Sequence, residues 1–182
     1  MEFLKKILKE KRPGKWEELP DLDLYMDQVL SYMPRQHPGL ELNENLTAAM
    51  VNNYIKKGLL PRAKGKKYTR EHIAYLTAVC LLKQVVSVTD AGKILDSQVE
   101  EERREEQVHA FYERYAKLLD EEFSRVFEEL EEGEKTSSLA DLALKLAISS
   151  YAQKMACEQI LNLLEEEKES EQEGKQTETG HC

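Results

Sequence analysis

Residues 47–76 read TAAMVNNYIKKGLLPRAKGKKYTREHIAYL, and this stretch decides the fold. A short helical pattern runs from Thr47 to Lys57 and meets Gly58-Leu59-Leu60-Pro61. Gly58 suits the residue just past a helix end, with Leu59 and Leu60 folding back onto it, and Pro61 forbids further helix. Arg62-Ala63-Lys64-Gly65-Lys66-Lys67-Tyr68 follows, with four cations and a glycine where a hairpin tip would fall. Thr69 then makes a good N-cap for the next helix, whose inner side is Ile73, Leu76, Val79, Cys80 and Val86. The expectation is a helix, a small hairpin wing and a second helix.

The first helix sorts into two faces. Met50, Tyr54 and either Val51 or Ile55 point into the domain, while Ala49, Asn52, Asn53 and Lys56 share the other side at steps of three and four. Amide side chains can pair with the edge of adenine in a major groove, and a small alanine allows close approach. Asn52, Asn53 and Lys56 are therefore the candidate base-facing residues.

Working outward, the charge is divided. Residues 44–86 hold eight basic and two acidic side chains, 8 − 2 = +6, whereas residues 97–135 hold six basic and fourteen acidic, 6 − 14 = −8. The formal net charge of −9 conceals a positive module joined to a negative one. Nucleic acid responds to where positive charge sits rather than to its total. The composition, 34% charged and 41% hydrophobic with eight Gly and five Pro, favours long helices, and the fold class expected is all-α.

On the N-terminal side, residues 2–11 form a short basic amphipathic segment, expected to dock on the body, with a phosphate-touching arm or a membrane-surface helix as the alternatives, the latter disfavoured by its short length. Asp21–Met33 reads as a helix with Leu22, Met26, Val29 and Met33 inward and Asp21 as N-cap. Pro34 and Pro38-Gly39 close it, and a loop through 41–43 leads to Leu46.

On the C-terminal side, Ser87–Asp90 restarts the chain and 91–95 forms a short helix. From about Gln98 to Leu130, Val108, Phe111, Tyr115, Leu118, Phe123, Val126 and Leu130 recur every three or four residues. Gly133 interrupts, and Ser138-x-x-Asp141 resembles a capping box opening a last helix to about Glu166. That helix is apolar around much of its girth, which calls for more than one neighbour and points to a homodimer. The aromatic residues 111, 112, 115, 123 and 127 read as packing, with a hydrophobic effector pocket between the last two helices as the alternative. Residues 168–182 are rich in Glu, Gln, Lys, Thr and Gly and are expected to be a disordered acidic tail. The organisation expected is a basic segment at 1–19, a DNA-binding domain at 20–96, a dimerising helical hairpin at 97–167 and the tail.

No spacing marks an enzyme, a cofactor or a metal centre. Cys80, Cys157 and Cys182 form no Cys-x-x-Cys pair, and Cys80 and Cys157 suit buried apolar positions. His37, His72, His109 and His181 show no ligand spacing. The carboxylate runs are explained by solvated helix faces, and no phosphate loop, nucleophile elbow or zinc-protease motif occurs. No run of about 18 apolar residues is present, the N-terminus lacks a secretory pattern, and a cytoplasmic location is expected.

The order of these elements resembles the DNA-binding domain of the MerR superfamily. The resemblance rests on Tyr54-x-x-x-Gly58-Leu59-Leu60-Pro61, on Gly65-Lys66-Lys67-Tyr68, on Tyr68-Thr69-x-x-x-Ile73-x-x-Leu76 and on Ser87–Leu95, and covers about residues 40–96. The chain also resembles a bacterial family known only as a domain of unknown function that shares this core. The resemblance implies a winged helix-turn-helix that binds double-stranded DNA and regulates transcription as a dimer. It places Tyr54 and the wing lysines on phosphates; Thr47, Lys57, Arg62, Lys64, Lys66, Lys67 and Arg70 complete the phosphate-facing set. The family's usual Arg-Tyr-Tyr-Glu is replaced here by Asn52-Asn53-Tyr54-Ile55. A small-molecule or protein effector is allowed, and a protein-interaction module that no longer binds DNA is the alternative function.

Overall fold

The computed structural model describes residues 2–10, 12–36, 46–98 and 104–179. Helices dominate, and the described residues fall into two compact units, 1–138 and 139–182.

The core of the first unit is built around α4 (Arg70–Leu82). Every residue from His72 to Cys80 is buried, so this helix is covered on all sides rather than along one stripe. Around it lie α2 (Met26–Tyr32), α3 (Ala48–Lys56), α5 (Val88–Asp96) and the 30-residue α6 (Arg104–Gly133). Val29, Val51, Leu76, Val79, Leu95 and Val108 are fully enclosed between them. Burial pushes the Cys80 thiol up to about 11, as expected for a small apolar core residue.

Local chemistry sets the helix ends. Thr47 Oγ1 accepts the Met50 amide at 3.2 Å, capping α3. The same helix ends with Leu59 N–H donating to Tyr54 O and Gly58 N–H donating to Ile55 O, and Gly58 has φ of 80°. These two reversed bonds satisfy carbonyls that the helix would leave unpaired. Thr69 N–H donates to Nδ1 of His72 at 3.1 Å, so His72 acts as a buried capping residue at the start of α4. Ser87 Oγ accepts the Asp90 amide and opens α5.

Two features differ from the sequence expectation at the N-terminal side. The stretch expected to be helical from Asp21 contains a strand instead, β1 (Leu24–Tyr25), and α2 begins only at Met26, where Gln28 Oε1 accepts the Tyr25 amide. Leu22, expected to face inward, is 75% exposed, and Met33 belongs to a 3-10 turn over Met33–Gln36. The reason is non-local: β1 pairs antiparallel with β2 (Lys67–Tyr68), Leu24 opposite Tyr68 and Tyr25 opposite Lys67. The expected loop at 41–43 and Pro38-Gly39 lie outside the described residues.

A polar network joins distant segments beneath this layer. Tyr112 on α6 donates to Gly14 O at 2.7 Å, the Gly14 amide donates to Gln36 Oε1 at 3.2 Å, and Gln36 Nε2 donates to the Tyr32 hydroxyl at 2.8 Å. Trp16 stacks on His109 with ring centroids 4.5 Å apart. Helix α1 (Glu2–Glu10) packs on α6, and Lys5 Nζ meets Glu134, just past the end of α6, at 2.7 Å. Just beyond α1, Arg12 meets Asp120 at 2.6 Å and lies over the Phe123 ring.

The second unit is α7 (Leu139–Thr179), 41 residues and roughly 60 Å long. It runs past Lys168 into the stretch expected to be disordered; Glu, Lys and Gln are adequate helix formers, which accounts for the extension. Leu139, Leu144, Ile148, Tyr151, Ile160 and Leu163 on this helix are exposed. Cys157, expected to be buried, is only half-buried on it. No described helix is long and apolar enough to cross a membrane.

Candidate nucleic-acid interface

The basic stretch folds into a helix end followed by a tight hairpin. Lys67 N–H donates to Lys64 O at 3.0 Å, with Gly65 at φ 60° and Lys66 at φ 65° between them. Two successive positive φ values define a type I′ turn, the form whose twist matches antiparallel strands. Gly65 adopts it freely; Lys66 is the only described non-glycine residue with positive φ. The hairpin is short, and its outer neighbour is β1, so the wing has a third strand segment from more than forty residues upstream.

Within residues 47–70 there are seven basic side chains and no acidic one. Lys56, Lys57, Arg62, Lys64 and Lys66 are exposed. None of these five has a carboxylate within salt-bridge distance among the described residues. Elsewhere Lys5, Arg12, Lys93, Lys117, Arg125 and Lys154 all stand within 4.0 Å of an acidic group. The chain neutralises many of its cations internally and leaves this segment's open to solvent.

The candidate residues sort as follows. Asn52, Asn53 and Lys56 are exposed on α3, opposite the buried Val51 and Tyr54. Thr47 is exposed, but its hydroxyl already serves as the α3 cap. Lys67 is half-buried, with Nζ 5.7 Å from the centre of the Tyr25 ring. Arg70 is also half-buried; its Nε donates to Pro20 O at 3.5 Å and its guanidinium lies 5.7 Å from the Trp16 ring. Tyr54 is a correction. At 2% exposure its side chain belongs to the core cluster that also holds Val51, Leu59 and Leu60, not to a phosphate-facing surface.

Sequence reading missed Tyr25. It is half exposed at the edge of the wing, directly across from Lys67, and could stack on a ligand. No periodic signal marks a two-residue strand, so only the pairing reveals it. It also missed a grouping of Glu17, His109 and Glu113, whose donor atoms lie within 4.8 Å of one another. All three are exposed, and His109 Nε2 already lies 3.9 Å from Glu113. Cys182 and His181 lie outside the described residues.

The fold and surface therefore define a mainly helical protein carrying a small basic hairpin between two helices. The chain belongs to the family described as Domain of unknown function (DUF1836), whose model matches residues 14–115. That span begins at Gly14, the acceptor of the Tyr112 hydroxyl, and takes in the first part of α6 as well as the whole basic stretch. No curated protein and no solved structure matches the chain.

Proposed function

We propose that this protein is a DNA-binding transcriptional regulator of MerR-like winged helix-turn-helix type that acts as a homodimer. The observation that carries the reading is the run from 47 to 70, which holds seven basic side chains (all from Lys56 on) and no acidic one, with its exposed cations unpaired among the described residues. A surface of this kind releases counterions from a phosphate backbone. In this reading Asn52, Asn53 and Lys56 meet base edges. Lys57, Arg62, Lys64, Lys66 and Lys67 hold the phosphates, with Arg70 and Thr47 at the margin and Tyr25 added beside the wing. Dimerisation is supported by α7, whose exposed Leu144, Ile148, Tyr151 and Ile160 gain from burial against a second copy. The corresponding mass in light scattering is that of two chains.

The test is duplex binding across a salt series. Lys66→Ala with Lys67→Ala is expected to weaken binding to every sequence alike. It should also flatten the dependence of log K on log salt by about 0.9 for each phosphate that the variant no longer neutralises. Unchanged affinity and slope would refute the assignment of the wing. A protein that binds no duplex at low salt, yet still self-associates, would instead be a protein-interaction module on the same scaffold. The exposed apolar residues of α7 are what favour that second reading.

A further inference from the structure

A cleft of about 360 Å³ opens between the C-terminal end of α4, the end of α5 and the middle of α6. Its walls are mostly carbon. Leu81, Leu82, Ile94, Phe111 and Leu118 are among them, and Leu118 is 53% exposed. Tyr115 contributes its ring only, because its hydroxyl is buried away from the surface. The volume equals that of roughly twelve water molecules and lies within the range of small-molecule sites.

Three polar side chains complete the lining: Gln98, Arg114 and Glu122. Their charges are not equivalent. Glu122 is held by Arg125, whose Nη2 lies 2.7 Å from Oε2, so its charge is already answered. Arg114 donates to the side-chain oxygen of Gln98, a neutral partner, and has no carboxylate in salt-bridge range among the described residues. The cleft thus combines an apolar chamber with one guanidinium that no carboxylate compensates among the described residues. A guanidinium presents a planar fork suited to a carboxylate, and that anion would displace a weaker amide acceptor.

We propose that this cleft binds a small amphiphilic monoanion, an aliphatic or aromatic carboxylate whose tail fills the chamber and whose carboxylate takes Arg114 from Gln98. The asymmetry of charge selects against a cationic ligand, and the size selects a tail of about ten carbons over a full lipid. The site stands on its own geometry and does not require the DNA reading.

The full chain is titrated calorimetrically with decanoate below its micellar range, and in parallel with decanol and decyltrimethylammonium. Decanoate is expected to saturate at one per chain and to bind about tenfold or more tightly than decanol, with the cation weakest. Arg114→Gln, on an exposed side chain, should bring decanoate down to the decanol level and leave decanol unchanged. Leu118→Trp, which fills the mouth, should weaken both. Thermal melts of both variants verify that they fold. Absence of saturation, equal binding of the cation, or indifference of decanoate to Arg114→Gln would each overturn the proposal. A change of oligomeric mass in Leu118→Trp without any decanoate binding would overturn it too, and would assign the cleft to a second copy of the chain.

Discussion

Gly92 on α5 faces Leu59 so closely that a Cβ at position 92 would lie 3.2 Å from Leu59 Cγ. Leu59 is the residue whose amide closes the C-terminal turn of α3, so it has little freedom to retreat. The α3 end and the α5 surface are therefore fitted through a missing side chain. Gly92→Val is expected to destabilise the domain by about 1–3 kcal/mol through overpacking. The penalty should shrink when Leu59→Ala is already present. A double-mutant cycle by chemical denaturation measures this coupling, and additive costs would show that the contact is not the cause.

Lys66 separates the conformation of the wing from its charge. Its φ of 65° is costly for a side chain with a Cβ. Lys66→Gly should therefore stabilise the fold by up to about 1 kcal/mol, partly offset by the greater freedom of the unfolded chain. The same substitution should lower duplex affinity, since a cation is removed. Opposite signs in a melt and in a binding isotherm are the expected outcome. A fall in both stability and affinity would mean that the turn depends on the lysine for its shape.

The contact between Lys5 and Glu134 gives α1 docking a pH dependence with two edges. Their mutual hydrogen bond holds the Glu134 carboxyl below its ordinary range and the Lys5 ammonium above its own. The contribution of Glu134 is present above the ordinary carboxylate range and lost as pH falls through its lowered value. That of Lys5 is present below the ordinary lysine range and lost as pH rises through its raised value. Glu134 is exposed and Lys5 is partly covered, so salt should weaken the effect. In a carbon-NMR titration, Glu134 should titrate below a normal glutamate and return to normal in Lys5→Met. An unchanged midpoint in that variant would remove the contact as the cause.

What is legible in the sequence is local. Thr47, Gly58 and Thr69 mark helix ends through bonds to neighbours within five residues, and each lies at the helix boundary the pattern places there; Ser87 caps a helix that starts at Val88, three residues before the expected 91. Gly65 announces the hairpin tip for the same reason. What is not legible depends on partners far along the chain. Periodicity gives α4 one inner side, whereas its nine consecutive buried residues require neighbours on every side. Residues 21–25 carry a helical pattern that yields to pairing with Lys67 and Tyr68. Tyr54 has two incompatible places, inward by spacing and outward by resemblance, and packing resolves it inward. The cleft is not visible either, because three separate helices supply its walls. The anionic half reads as a helical hairpin, yet α6 groups with the preceding helices rather than with α7.

The ladder from Leu24–Tyr25 to Lys67–Tyr68 has a practical corollary for anyone trimming the gene. A deletion that removes residues 1–25 would take away six basic and six acidic side chains and so leave the net charge unchanged, yet it would strip the outer support from the turn that displays Lys64 and Lys66. In such truncations the lost brace would be inseparable from the lost Tyr25 side chain, whereas Tyr25→Ala keeps the backbone ladder and tests the side chain alone.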